Sequence, residues 1–278
     1  MNTFEWKYIL RDCIIKFKCK KGLITIDICI FNKYYTFLID SGSEKSFLLP
    51  KKRFEKYKIK KEKYIKINGI GKDKIIKFAY NFPKIIIDGV SIYNTEFLMQ
   101  NKNLMFFYLN IDGIIGFDIL KQFDFYIDFT NKIFNIGKFH LQNYLHSSQI
   151  LSDKQMVIKI GYNNKSYRTL IDLGANNSII STDIIPNINL INKKSSIVLG
   201  INGFSVQKVS EIRDIIFSFG KNSFKVKKVY IGSFKYNWSI KLGTDSLNKY
   251  KVYFINSKRE VIISWIKKIK IFQSCYFF

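Results

Sequence analysis

The chain has 278 residues, is 47% hydrophobic and 17% aromatic, and carries a formal net charge of +25. That composition excludes a disordered chain, and the length suits one large or two small domains, each with a core of its own. No run reaches the roughly 18 apolar residues of a membrane-spanning helix.

The charge asks first whether the partner is a polyanion. Of the 46 basic residues only Arg11, Arg53, Arg168, Arg213 and Arg259 are arginine. Arg, with its planar fork, is the better reader of phosphate. The lysines are scattered through a chain also loaded with Ile, Asn, Phe and Tyr, the signature of AT-rich coding bias. The charge therefore reads as a solvated lysine surface, and no specific nucleic-acid partner is expected.

In chain order, Met1 to Gly22 is mixed and charged, without the uninterrupted apolar stretch of a signal peptide. Cys13, Cys19, Cys29 and Cys275 form no CxxC pair and have no His at metal-ligand spacing. Three of them fall in predicted strands, where a buried free thiol is the ordinary state. Unpaired cysteines and no export signal point to the cytoplasm.

Residues 23–31 and 33–39 are apolar runs around Asn32-Lys33, a predicted hairpin. The second run delivers Asp40 at a strand end, followed by a Gly turn. Short strands are predicted at 75–78, 84–87 and 90–98, a short helix over Gly116 to Gln122, and a last hairpin over 123–136 around Thr130-Asn131-Lys132. The second half repeats this order.

The repeat is direct. Residues 25–48 (TIDICIFNKYYTFLIDSGSEKSFL) lie on 157–180 (VIKIGYNNKSYRTLIDLGANNSII) without a gap, with ten identities in 24 positions, including Asp40/Asp172, Gly42/Gly174 and Ser46/Ser178. Farther on, Ile67-Asn68-Gly69 meets Ile201-Asn202-Gly203, and Gly116, Asp118 and Leu120 meet Gly243, Asp245 and Leu247. Residues 138–153 match nothing in the other half. The predicted organisation is a lobe over 1–137, a linker over 138–153 and a second lobe over 154–278, all-β with one short helix per lobe.

The chemistry-bearing constellation is an apolar-apolar-Asp-x-Gly motif found twice: Leu38-Ile39-Asp40-Ser41-Gly42-Ser43 and Leu170-Ile171-Asp172-Leu173-Gly174-Ala175. Each is followed by an apolar-Gly motif, Gly113-Ile114-Ile115-Gly116 and Ile240-Lys241-Leu242-Gly243. A carboxylate at the end of a buried strand needs a reason to be there.

This pattern resembles the pepsin and retropepsin superfamily of aspartic peptidases, closest to the compact retropepsin unit duplicated within one chain. The resemblance covers nearly everything outside the linker and the two tails. It implies two retropepsin-like β-barrel lobes related by pseudo-twofold symmetry, with Asp40 and Asp172 as a catalytic pair. A water activated between them would hydrolyse the bond of an extended peptide or protein substrate. It implies no cofactor and no metal. Both halves of the site lie in one chain, so a monomer is expected.

Ser41, Gly42, Ser43 and Gly174 would support the pair. In this family the residue after each Asp is normally Thr or Ser, whose hydroxyl locks the two loops together. Ser41 can do so and Leu173 cannot, so half of the bracing is expected to be missing. A relative that binds peptide without cutting it is therefore the alternative reading. Ser43 offers a hydroxyl to Asp40 where Ala175 offers none to Asp172, so Asp40 is expected to be the more readily ionised partner. Asn68-Gly69-Ile70-Gly71 and Gly200-Ile201-Asn202-Gly203-Phe204 are candidate flap tips, with Gly69, Ile70, Gly71 and Gly203 closing over substrate.

Other chemistries lack residues. The two histidines, His140 and His146, fall in the predicted linker, away from any nucleophile. No Gly-rich stretch carries the Lys-Ser/Thr of a phosphate loop. Asp112, Asp118, Asp124 and Asp128 lack the spacing of a calcium loop and read as turn and helix-cap residues.

Overall fold

Two tight turns set the geometry of the lobes. Phe31 and Asn32 both have positive φ, 50° and 58°, and Asn163 and Asn164 repeat this at 47° and 59°. Two successive left-handed residues make the turn whose twist matches that of the flanking strands. The first turn thus sits one residue earlier than Asn32-Lys33. The strands leaving these turns carry the two Asp-x-Gly motifs to equivalent places.

The computed structural model describes residues 13–67, 74–100, 104–139, 147–185, 194–200, 203–233 and 236–265. The first half runs β1 (Cys13–Lys16), β2 (Lys18–Lys20), β3 (Leu23–Ile30), β4 (Lys33–Ile39), β5 (Phe47–Leu48), β6 (Lys58–Ile67), β7 (Lys74–Ile87), β8 (Val90–Met99), α1 (Leu104–Leu109), β9 (Gly113–Ile115), α2 (Phe117–Leu120), β10 (Phe125–Asp128) and β11 (Ile133–Ile136). The second runs β12 (Ser147–Gln149), β13 (Val157–Tyr162), β14 (Lys165–Ile171), β15 (Ile179–Ser181), β16 (Lys194–Gly200), β17 (Gly203–Phe219), β18 (Asn222–Gly232), β19 (Ile240–Leu242), α3 (Thr244–Leu247), β20 (Tyr250–Ile255) and β21 (Glu260–Trp265).

Each lobe closes as a barrel. In the first, the neighbours run β3-β4-β9-β5-β8-β7, and Cys29 opposite Ile86 pairs β3 with β7 to complete the ring. In the second, the order β13-β14-β19-β15-β18-β17 is closed by Gly161 opposite Ser218. Closure leaves a sheet with few open edges.

The strands predicted separately at 75–78 and 84–87 are parts of one strand, β7. Pro83 does not end it, because the ladder steps past Pro83, from Phe82↔Thr95 to Lys84↔Tyr93, while Asn94 opposite takes positive φ. Proline is tolerated in a strand where no ladder hydrogen bond is asked of it. The first lobe also has a helix the repeat did not announce, α1, which packs Met105, Phe106 and Leu109 inward against Leu38, Leu98 and Ile114. Cys13 is buried, but Cys19 is exposed on its short strand and Cys29 is half-buried.

A third sheet joins the lobes in the order β1-β11-β10-β20-β21-β12. Its centre pairs the next-to-last strands of the two halves, β10 and β20, antiparallel, Phe125↔Phe254 through Asp128↔Lys251. Across that seam the Phe125 and Phe254 rings stack at 4.4 Å and Tyr126 meets Tyr253 at 5.2 Å. Residues 147–149 form β12, which pairs with β21 as β1 pairs with β11. One apolar cluster runs from Ile26 and Phe82 through Phe125 and Phe254 to Ile158 and Phe217, so the two barrels share a core. Among the described residues no helix is long and apolar enough to cross a membrane.

Candidate active site

The two Asp-x-Gly turns are held by parallel strand pairs. β4 lies beside β9, with Ile39 opposite Ile115, and β14 lies beside β19, with Ile171 opposite Leu242. The ladders continue into the turns: the Asp40 amide donates to the Ile115 carbonyl and the Asp172 amide to the Leu242 carbonyl, each at 2.9 Å. Phe117 N–H reaches back to the Ser43 carbonyl, and Thr244 N–H to the Ala175 carbonyl, both at 2.8 Å. The turns are related element by element, as the repeat is in sequence.

Beneath each turn lies a Ser–Asp pair, the serine buried and the aspartate half-buried. Ser46 Oγ donates to Asp118 Oδ1 (2.6 Å) and accepts from Gly116 N–H (2.9 Å), while Ser46 N–H donates to Asp118 Oδ2 (3.2 Å). Ser178 makes the same three bonds with Asp245 and Gly243, at 2.7, 3.0 and 3.0 Å. These pairs tie the strand after each Asp turn to the Gly that opens the short helix. Burial pushes both Asp118 and Asp245 above the usual carboxylate range, against the pull of the serine bonds. Asp118 is thus an internal anchor and not a cap alone. Its signal was the coincidence of two aligned identities, Ser46/Ser178 and Asp118/Asp245.

The turns meet at their glycines. A Cβ on Gly42 would stand 2.6 Å from the Asp172 carboxyl carbon, and one on Gly174 would stand 2.2 Å from that of Asp40. Each carboxylate therefore lies against the opposite turn, at a distance only glycine permits. Asp40 Oδ1 accepts from the amides of Gly42 (3.0 Å) and Ser43 (2.9 Å), and Asp172 Oδ1 from that of Gly174 (3.0 Å).

The bracing between the turns is one-sided. Ser41, fully buried, donates its hydroxyl to the Ile171 carbonyl at 2.6 Å and accepts from the Leu173 amide at 3.1 Å. It therefore grips the chain on both sides of Asp172. Leu173 is fully buried in the shared core and returns no hydroxyl. Its place is taken by the segment entering the second lobe. Gln155 Nε2 donates to the Gly42 carbonyl at 2.6 Å, and Met156 N–H to the Ser41 carbonyl at 3.3 Å. Gln155 carried no signal in the sequence, because nothing local marks a residue that acts across the lobe interface.

Asp40 does not receive the serine hydroxyl expected for it. Ser43 Oγ is turned away, donating to the Lys45 carbonyl at 2.8 Å, so only the Ser43 amide serves Asp40. Burial, then the negative charge of Asp172, push Asp40 well above the usual carboxylate range, and the side-chain hydrogen bond to Asp172 acts in the same direction. The two amide bonds oppose this without cancelling it. Asp172 instead has a cation: Lys241 Nζ stands 3.6 Å from its Oδ2, with both side chains largely buried.

Of the candidate flap residues, Gly69, Ile70 and Gly71 lie outside the described residues, as do both histidines. The hairpin that leads to the first three is described, closing to Ile67↔Lys74. Gly203 begins β17 opposite Gly200 in the matching hairpin of the second lobe. Asp112 accepts from Thr36 N–H and Lys51, Asp124 from Ser257, and Asp128 from Asn131. These three hold loops. Among the described residues no group of three or more His, Cys, Asp or Glu side chains is arranged to hold a metal ion.

Comparison with known proteins follows the same division of the chain. No curated protein sequence matches it. Among solved structures, an aspartic proteinase from Irpex lacteus is similar over 92% of this chain and 97% of its own, with a TM-score of 0.64 and 11% sequence identity. That likeness is one of fold. The family model described as retroviral aspartyl protease matches twice, over residues 19–128 and 152–255, once on each lobe. The chain belongs to the retroviral aspartyl protease family, with the family's unit present twice in one polypeptide.

Proposed function

We propose that the chain is an aspartic endopeptidase whose site is formed by Asp40 and Asp172. The observation that carries this reading is the reciprocal packing of each carboxylate against the other turn's glycine. Two carboxylates so placed do not ionise independently; they hold one proton between them and titrate as a pair. The ionised member takes a proton from a water molecule as its oxygen attacks the peptide carbonyl carbon. The protonated member gives its proton to the carbonyl oxygen. When the resulting diol collapses, the C–N bond breaks, the departing nitrogen takes the dyad's proton, and one diol hydroxyl gives its proton to the other carboxylate as it becomes the product's carbonyl, so the pair again holds one proton.

The substrate is an extended peptide or unfolded segment, held by strand-like hydrogen bonds between the lobes and covered by the hairpins β6–β7 and β16–β17. Gly69, Ile70, Gly71 and Gly203 are the proposed flap residues. Lobes over 1–137 and 154–278 joined by 138–153 supply the whole site, so one copy suffices. The lysine-rich surface serves solubility and needs no nucleic-acid partner.

The missing hydroxyl at Leu173 favours a second reading, a relative that binds peptide without cutting it. Ser41 and Gln155 weigh against this, because they hold the turns together without it. The test is incubation of the full chain with an unfolded polypeptide. Cleavage that disappears in Asp40→Asn supports the peptidase; binding with no cleavage in the wild type supports the alternative.

A further inference from the structure

The two lobes also differ on the strand that flanks each dyad turn. In the first, β9 places Ile114 next to Leu38, two residues before Asp40, and Ile114 is 1% exposed in an apolar cluster. In the second, β19 places Lys241 next to Leu170, two residues before Asp172. A lysine inside a short strand flanked by the buried Ile240 and Leu242 is costly unless its charge is used. Its ammonium stands 3.6 Å from Asp172 Oδ2, with only 15% of the lysine side chain and 13% of the aspartate side chain exposed.

The oxygen it approaches is the one the turn leaves free. Asp172 Oδ1 takes the Gly174 amide, and Ala175 has no hydroxyl to offer Oδ2. The remaining charged groups around the pair do not duplicate the lysine. On β14, Arg168 is exposed and directed to the Asn237 carbonyl. On β15 the residue beside Lys241 is Ile179. Past β19, Asp245 is bonded to Ser178. From the first turn the facing group is Asp40 itself.

We propose that Lys241 is a positioning residue that holds Asp172 as the carboxylate of the dyad and leaves the shared proton on Asp40. This rests on the peptidase reading for its consequence: Asp172 is the base toward water and Asp40 the acid toward the carbonyl. The assignment reverses the order the hydroxyls of the two turns suggested. A fixed cation also stabilises every added negative charge on the pair, so it lowers both of the dyad's ionisation steps. Replacing it moves both upward.

The test is a carbon-13 NMR titration of the full chain labelled at the aspartate carboxyl carbon, with Asp40→Asn and Asp172→Asn used for assignment. In the wild type, Asp172 is expected to ionise at lower pH than Asp40. Lys241→Ile, which installs the residue of the first lobe, is expected to raise the Asp172 step by about one pH unit or more, the scale of an opposite charge within 4–6 Å. Lys241→Arg, keeping the charge, is expected to hold it near the wild-type value. An Asp172 step that is the same in wild type and Lys241→Ile, or an Asp40 that ionises first in the wild type, would overturn the proposal. Peptide cleavage separates the two readings. A wild type that shows the titration but cuts nothing loses the peptidase reading and keeps the role of Lys241. A wild type that cuts while Lys241→Ile leaves the titration unmoved keeps the peptidase and loses the role of Lys241.

Discussion

The hydroxyl of Ser41 accepts a hydrogen bond from the amide of Leu173, and Leu173 has no hydroxyl to return. One serine therefore does from one side what a symmetric pair would do from both, and its hydroxyl donates a hydrogen bond to the Ile171 carbonyl. Ser41→Ala would leave that buried carbonyl and the Leu173 amide unpaired. At about 1–3 kcal/mol for each orphaned group, the expected loss is about 2–6 kcal/mol, read as a lower denaturation midpoint. Cleavage should fall with it, since the Asp40 turn loses its hold on the Asp172 turn.

Leu173→Thr restores the residue type expected by resemblance but should not restore stability. Leu173 is fully buried in the shared core. Its replacement leaves a void and brings a hydroxyl into an apolar site, at about 1–3 kcal/mol. A denaturant series comparing wild type, Leu173→Thr and Leu173→Ala measures this. A threonine variant more stable than the wild type would show that the turn tolerates the symmetric arrangement.

The glycines at the meeting of the turns allow a sharper test. Gly42→Ala and Gly174→Ala put a methyl group 2.6 and 2.2 Å, respectively, from the opposite carboxyl carbon, well inside van der Waals contact. Both should abolish cleavage while the barrels remain folded by circular dichroism, because the clash is local to the turns. An alanine variant that cuts at the wild-type rate would mean that the turns do not meet during catalysis.

Burial raises Asp118 and Asp245 above the ordinary carboxylate value, and this has a sign. The folded state binds their protons more tightly than the unfolded chain, whose carboxylates titrate near about 3.9. Their favourable contribution is present below that value and is lost as pH rises through the raised one. Asp118→Asn cannot ionise. The stability gap between wild type and Asp118→Asn should therefore narrow as pH rises from about 4 toward neutrality, by chemical denaturation at successive pH values.

The seam between the lobes should matter as much as either core. Phe254 is fully buried and stacked on Phe125 at 4.4 Å across the central strand pair. Phe254→Ala is expected to cost about 3–5 kcal/mol, read as a fall in Tm, and to loosen the relation of the two turns enough to lower cleavage as well.

Much of this was legible in the chain because the duplication aligns the elements that matter. The Asp-x-Gly turns, the second Gly motifs and the hairpins that carry them all follow from local pattern and its repetition. What escaped was long-range or broke the repeat. Gln155 acts 113 residues away from Gly42. Asp118 looked like a helix cap because its partner Ser46 is 72 residues earlier. Ser43 pointed elsewhere because a nearer acceptor, the Lys45 carbonyl, competes for its hydroxyl. Lys241 stood in plain view where the first lobe has Ile114, yet its meaning depends on which oxygen its stem can reach. Pro83 suggested a break that a local step in the ladder absorbs.

The most direct test of the central claim is a cleavage-rate comparison of Asp40→Asn, Asp172→Asn and the double variant on one unfolded substrate. If the carboxylates act as one unit, each single variant should lose about 10³-fold or more, and the double variant should be no worse than either. A single variant that cuts at the wild-type rate would contradict the account.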